Sequence, residues 1–248
     1  MKSVLVTGAG SGFGKGACLE LANRGHRVIA TTETVEQCEK LRKETPQLQV
    51  EKLDITTDDI SKVSEWEIEV LVNNAGTGQS GPLAAIPIEK INQTFSVNVF
   101  GTLALTQKVL EQMLPRQSGR ILIMSSIGGL VTVPGFGAYT MTKHALEALG
   151  RTLSAELNGT GIDVGIINPG PYNTGFNDRM AASMWDWFND ASLLSENTDM
   201  FKAVCGEITG NQIPDTADVE QLIANLVEAD TIDQQNIIPP DILDNFGA

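Results

Sequence analysis

In the stretch YTMTK, Tyr139 and Lys143 stand four positions apart. Residues at i and i+4 share one face of a helix, so a helix there sets a phenol beside an ammonium. A free tyrosine ionises near pH ~10, too high for a base at neutral pH. A neighbouring cation favours its phenolate. Such a pair can give a proton to a ketone oxygen or take one from an alcohol. The same spacing also serves a plainer purpose, with the tyrosine anchoring a helix to a core and the lysine solvating its outer face.

A second group of residues weighs in that choice. In VTGAGSGFGKG the glycines Gly8, Gly12 and Gly14 follow the spacing G-x-x-x-G-x-G. Glycines let backbone approach a pyrophosphate with no Cβ in the way, and a helix N-terminus behind them offers N–H groups and partial positive charge. Three glycines also make a tight connection and nothing more. Here they lie at the first strand–helix turn of an alternating chain, where dinucleotides bind in such sheets. Glu33 follows Gly14 by 19 residues at the end of ATTET, where an acidic group grips the adenosine ribose and repels a 2′-phosphate. Ser11 is neutral and Lys15 is the nearest opposing charge. NAD is the expected cofactor, with NADP the alternative.

The elements that position these groups alternate along the chain. SVLVT (3–7), RVIATT (27–32), LQVEKLD (48–54), EVLVNNAG (69–76), GRILIMSS (119–126) and IDVGIINPG (162–170) read as strands. Helical spacing covers 12–25, closed by Gly25, then 34–44, 88–114 and 137–157. Several strands are apolar almost throughout, as strands covered on both faces are. The pattern predicts an α/β fold of Rossmann type, a doubly wound parallel sheet with helices on both faces. One domain over 1–248 is expected. The rhythm fails over 171–214, which holds Trp185, Trp187, Phe176, Phe188 and Phe201. That segment is either a satellite helix cluster or a lid over a ligand.

Composition narrows the classes. Lys plus Arg number 17 and Asp plus Glu 31, for a net charge of −14. Such a chain repels nucleic-acid backbones and anionic membranes, so neither is an expected partner. Cys18, Cys38 and Cys205 are scattered, which suits reduced thiols in a cytoplasmic protein. His26 and His144 supply no metal-like spacing, and no metal is expected. No apolar run reaches membrane-spanning length.

Four motifs in order, TGAGSGFG, NNAG (73–76), SS (125–126) and YTMTK, resemble the short-chain dehydrogenase/reductase family over roughly residues 3–175. The resemblance implies a catalytic set of Asn98, Ser126, Tyr139 and Lys143. Ser126, which lies 13 residues before Tyr139, would donate to the carbonyl oxygen. Asn98 would help hold a water linking Lys143 to solvent. It also implies cofactor contacts from Gly8, Ser11, Gly12, Phe13 and Gly14, from Asp54 and Ile55 after the third strand, and from Asn74, Ala75 and Gly76. Pro169, Gly170 and Thr174 complete that set, with Tyr139 and Lys143. At Thr32 NAD-preferring members usually carry aspartate, and at Glu33 NADP users often carry arginine, so both of these positions face the cofactor choice. The expected activity is hydride transfer between nicotinamide and a secondary alcohol or ketone. A cofactor-sensing regulator and a non-redox isomerase or lyase on the same fold are the alternatives.

At the substrate end, Tyr172, Phe176, Met180, Met184 and Trp185 join Ser126 and Tyr139 as candidate contacts, with Trp187 and Phe188 beside them. They suggest a bulky or apolar small molecule, though Asp178 and Arg179 interrupt the apolar run. The helices at 88–114 and 137–157 carry apolar positions beyond what one sheet face covers, and a homodimer or homotetramer is expected.

Overall fold

The computed structural model describes residues 1–246. In chain order the elements are β1 (Ser3–Val6), α1 (Gly12–Asn23), β2 (Arg27–Thr32), α2 (Val35–Glu44), β3 (Gln49–Lys52), β4 (Val70–Asn73), α3 (Ile88–Phe95), α4 (Thr102–Arg116), β5 (Gly119–Met124), α5 (Gly137–Glu156), β6 (Ile162–Pro169), α6 (Phe176–Ala182), α7 (Thr198–Gly210), α8 (Ala217–Glu228) and β7 (Gln235–Ile238). Short 3₁₀ turns cover Ile60–Trp66, Ile127–Gly129 and Ser183–Asp186.

Among the described residues the strands form one seven-stranded sheet in the order β3-β2-β1-β4-β5-β6-β7. Every pairing is parallel. Alternation along each strand divides the core in two. Val4, Val6, Val28, Ala30, Val70 and Val72 turn to one face with Ala17, Leu21, Leu41 and Ile223. Leu5, Ile29, Leu71, Ile121 and Ile123 turn to the other with Leu105, Val109, Met113 and Leu146. Strands apolar on both sides are what two helical layers require. The order reverses between β1 and β4, and the loops at that switch point carry the glycine turn and NNAG.

Local chemistry sets the boundaries. The Thr34 side chain accepts from the Gln37 N–H while the Gln37 side chain takes the Thr34 N–H, a reciprocal cap that starts α2. Gly25, at φ +84°, turns the chain after α1. The helix expected over 88–114 is interrupted: between α3 and α4, Ser96–Gly101 widens into a π-helical turn. Gly101 fits there because a Cβ would stand 2.8 Å from Ile55 Cγ1. β7 and α8 complete the sheet and one helical layer beyond the six strands legible in sequence. β7 pairs in parallel with β6 from Ile166↔Gln235 to Pro169↔Ile238, so the C-terminal stretch continues the sheet. No helix among the described residues is long and apolar enough to cross a membrane.

The glycine turn is held by close approach. Gly8 takes φ +65°, and a Cβ on it would lie 2.8 Å from Ala75 Cα. A Cβ on Gly14 would lie 2.4 Å from Asn74 Nδ2 and 2.6 Å from Gly8 O. Helix α1 is thereby seated directly on the β1 and β4 loops. Gly14→Ala should lower the free energy of unfolding by roughly 1–3 kcal/mol, the usual cost of overpacking. Urea titration measures it, and an unchanged midpoint contradicts this packing.

Candidate active site

Helix α5 brings its chemistry to the carboxyl ends of β4, β5 and β6. Tyr139 and Lys143 lie in its first two turns, and the Lys143 ammonium sits 5.5 Å from the centre of the Tyr139 ring. Lys143 is buried, and its Nζ donates to Met124 O on β5 at 2.8 Å. Ser126 caps the 3₁₀ turn after β5, its Oγ accepting from the Gly128 N–H at 3.0 Å. The cap and the proximity to Tyr139 coexist in one side chain: a Cβ on Gly128 would be 3.4 Å from Tyr139 Cε1 and 3.5 Å from Ser126 Oγ.

Asn98 occupies the π-helical turn and is buried. Its Oδ1 accepts from the Thr77 N–H at 2.8 Å, and its Nδ2 donates to Thr77 O at 2.8 Å and to Thr142 Oγ1 at 2.9 Å. It therefore ties the segment after NNAG to α5. A Cβ on Gly76 would meet Asn98 Oδ1 at 3.4 Å and Lys143 Nζ at 3.9 Å, so the two side chains flank one point. NNAG is fastened to β1 by Thr7, whose Oγ1 accepts from the N–H groups of Asn74 and Ala75, each at 3.0 Å. Sequence reading passed over Thr7.

Burial governs the protons. It pushes the Tyr139 phenol up to about 12, the Ser126 hydroxyl pulling the other way. It pushes the Lys143 ammonium down to about 8, opposed by the carboxylate of Glu147. The lysine alone thus leaves the phenol protonated at neutral pH, contrary to the acidified phenol that the i, i+4 spacing suggested. Desolvation is the larger influence on the phenol here.

One cavity unites most of the expected residues. Gly8, Ser11, Gly12, Phe13, Asn74, Ala75, Gly76, Ser126, Tyr139, Lys143, Pro169, Gly170, Tyr172, Thr174 and Phe176 line it, joined by Met124, Ser125, Asn177 and Arg179. No carboxylate is among these lining residues, although the chain carries net charge −14. The first turn of α1 has no acidic residue, and Ser11 makes no side-chain cap, so its leading N–H groups stay available to an anion. These features fit a dinucleotide's pyrophosphate.

Other expected contacts lie elsewhere. Gly14 is committed to helix–strand packing, as described above. Thr32 is buried, its hydroxyl pairing with Thr34 O and Cys38 Sγ. Glu33 is exposed beyond β2. The Asp54 carboxylate accepts from Thr56 N–H and from the Thr56 and Thr57 hydroxyls, closing its own turn. Ile55 packs on Gly101. These four residues, Thr32, Glu33, Asp54 and Ile55, do not line the cavity.

The substrate expectations divide. Phe176 does reach Tyr139, with ring centres 5.6 Å apart. Tyr172 presents only a wall, because its hydroxyl turns away to donate to Asp218 Oδ2 on α8 at 2.6 Å. Met180 is buried against Gly78 and Phe136. Met184 has 0% exposure and packs with Phe188 and Phe201. Trp185 is 41% exposed and stacks edgewise on Phe188. Met180, Met184 and Trp185, expected as substrate contacts, do not line this cavity: Met180 packs with Phe136 and Phe176, Met184 belongs to a separate satellite core with Phe188 and Phe201, and Trp185 stays largely at the surface. Ser183 fastens that core to the main body, its Oγ accepting from Ser80 N–H at 3.0 Å and Gln79 Nε2 at 2.9 Å.

A lysine whose proton is loosened by burial makes stability depend on pH. Between about 8 in the folded chain and 10.5 unfolded, the unfolded state holds more protons, so stability rises with pH across that window. Lys143→Met should remove this rise. Denaturant unfolding of both proteins at pH 7 and pH 10 measures it; an identical pH slope in the variant refutes the burial penalty.

Comparison with known proteins follows the same residues. A family model described as short chain dehydrogenase matches residues 2–185, ending inside the 171–214 excursion. The uncharacterized oxidoreductase YbbO of Escherichia coli strain K12 is 37% identical over 195 residues, 75% of this chain and 71% of YbbO. The NADPH-dependent 3-dehydrocapnine reductase of Ornithobacterium rhinotracheale is 33% identical over 188 residues, 70% of this chain and 66% of that protein. A crystal structure of a short-chain dehydrogenase from Streptomyces avermitilis superposes with a TM-score of 0.81 at 28% identity, covering 98% of this chain and 90% of that one. With the family model spanning most of its length, this chain belongs to the short-chain dehydrogenase family of oxidoreductases.

Proposed function

We propose that this protein is a nicotinamide-dependent oxidoreductase that interconverts a secondary alcohol and a ketone, with Tyr139 as the acid and base. The observation that carries the reading is the single cavity in which Ser126, Tyr139 and Lys143 stand beside the glycine turn. The dinucleotide would lie along Gly8, Ser11, Gly12 and Phe13, with Asn74, Ala75 and Gly76 on one side and Pro169, Gly170 and Thr174 on the other. Bound there, it supplies or accepts the hydride. Ser126 holds the substrate oxygen near the phenol and stabilises charge that develops on it. Tyr139 transfers the proton at that oxygen. Lys143 and the positive charge of an oxidised nicotinamide together offset the burial that holds the phenol at about 12. Asn98 keeps the Thr77 segment and α5 in register around Lys143.

The substrate side is half apolar. Phe176 forms the wall against Tyr139, and Arg179 is the one cation besides Lys143 lining the cavity. The segment 171–214 would act as the lid, with the chain 1–248 working as one catalytic domain. Cofactor choice belongs to the end of β2. Glu33 opposes a 2′-phosphate there, while the 33% identical reductase is named for NADPH. Exposed Phe100 on the π-helical turn and Met141 on α5 suit a face shared between two copies.

Tyr139→Phe should cut NAD(P)H-dependent ketone reduction by about a thousandfold while leaving cofactor affinity intact. Stopped assays at 340 nm and cofactor titration measure the two, and an unchanged rate overturns the assignment. Glu33→Arg should shift the ratio of NADPH to NADH affinity by about tenfold or more toward NADPH, as read from dissociation constants; an unmoved ratio places the selectivity elsewhere.

A further inference from the structure

Beneath the cavity, α5 and β6 meet at a buried carboxylate that the reaction above does not use. Glu147 follows Lys143 by one turn of α5 and is 5% exposed. Its Oε1 accepts from Asn168 Nδ2 at 2.6 Å. The same Nδ2 donates to the backbone carbonyl of Ser126 at 3.1 Å. Both partners are acceptors, so the amide nitrogen must be the atom that faces them. Asn168 has 0% exposure, and its Oδ1 has no partner among the described residues. An amide that leaves a buried oxygen unpaired is held by what its nitrogen binds. The backbone after Ser126 also closes over the carboxylate stem: a Cβ on Gly129 would lie 3.1 Å from Glu147 Cγ and 2.9 Å from Lys143 O.

The charge of Glu147 is only loosely answered. Arg151 Nη2 approaches Oε2 at 3.4 Å, from a side chain 53% exposed. Gln235 on β7 reaches the same oxygen at 3.5 Å. Asn168 on β6 is neutral. The buried opposite charge on the same helix face is Lys143, around which stand the uncharged Met124 O on β5 and Asn98 in the π-helical turn, and the titratable Tyr139 phenol, its ring centre 5.5 Å from the ammonium. Burying a carboxylate costs several kcal/mol unless it is paired. Its partner Asn168 leads to the serine backbone, and the catalytic ammonium lies one turn back on the same helix.

We propose that Glu147 is a positioning residue for the reaction: through Asn168 it fixes the backbone at Ser126, and along α5 its charge keeps Lys143 in the ammonium form. The inference deepens the oxidoreductase reading and rests on it. Glu147→Gln keeps the shape and the acceptor for Asn168 but deletes the charge. Lys143 then loses its proton at lower pH, so the alkaline limb of kcat/KM for ketone reduction moves down by about one pH unit. Asn168→Ser leaves the charge and breaks the bridge. It should lower kcat by about tenfold, the limb staying in place, because the serine is no longer held. Glu156→Gln, at an exposed position of the same helix, should change neither.

A measurement without turnover accompanies these. In Glu147→Gln the onset of the rise in stability with pH, which reports Lys143, should also move to lower pH in denaturant titrations. An unmoved limb together with an unmoved onset overturns the role of the charge, and an unchanged kcat in Asn168→Ser overturns the bridge. A wild-type protein inactive on every ketone with either reduced cofactor would instead defeat the oxidoreductase reading, and the onset alone would then decide whether Glu147 governs Lys143.

Discussion

A lysine ammonium held away from water is the constraint on which the rest of this structure depends. Left alone in an apolar interior such a group would lose its proton. Here it is met by a strand carbonyl, Met124 O, with the buried carboxylate of Glu147 one turn further along the same helix. Meeting both requires α5 to lie close against β5 and β6. Gly150 on α5 allows that approach, since a Cβ there would stand 2.6 Å from Ile166 Cγ1. The same closeness sets Tyr139 at the cavity wall beside the serine after β5. Helix, strand ends and titrating groups are therefore one arrangement, in which moving any member exposes or orphans another.

Around that centre the loops are cross-tied rather than stacked. Thr7 fastens NNAG to β1, Asn98 fastens the following segment to α5, and Asn168 fastens the end of β5 to the middle of α5. Each tie uses a short polar side chain to satisfy backbone groups that leave the sheet at its carboxyl edge. Such groups would otherwise be buried without partners. The loops acquire the rigidity of the sheet without belonging to it.

What was legible in the sequence follows from how local each signal is. The strands at 27–32 and 162–170, the glycine turn and the i, i+4 pair are carried by neighbouring residues, and the structure shows them where they were expected. The break in the helix over 88–114 was hidden because a π-helical turn costs one extra residue and leaves the apolar spacing nearly intact. Strand β7 was hidden because its four residues are half-exposed and run into prolines. Glu147 reads on its own as one more charge on a long helix. Its meaning arises only when β6 places Asn168 between it and Ser126, a pairing 21 residues apart. Met180, Met184 and Trp185 misled for a related reason: apolar composition shows that a segment buries something, and tertiary packing decides what.

The cluster formed by Met184, Phe188 and Phe201, seamed to the main body at Ser80 and Ser183, is a block beside the cavity with an interior of its own. Its side chains are spoken for, so exchanging one of them perturbs the block before it reshapes the opening. A different tolerance for substrate size would come from sliding or rotating that block as a unit, about the left-handed Gly175 that precedes α6.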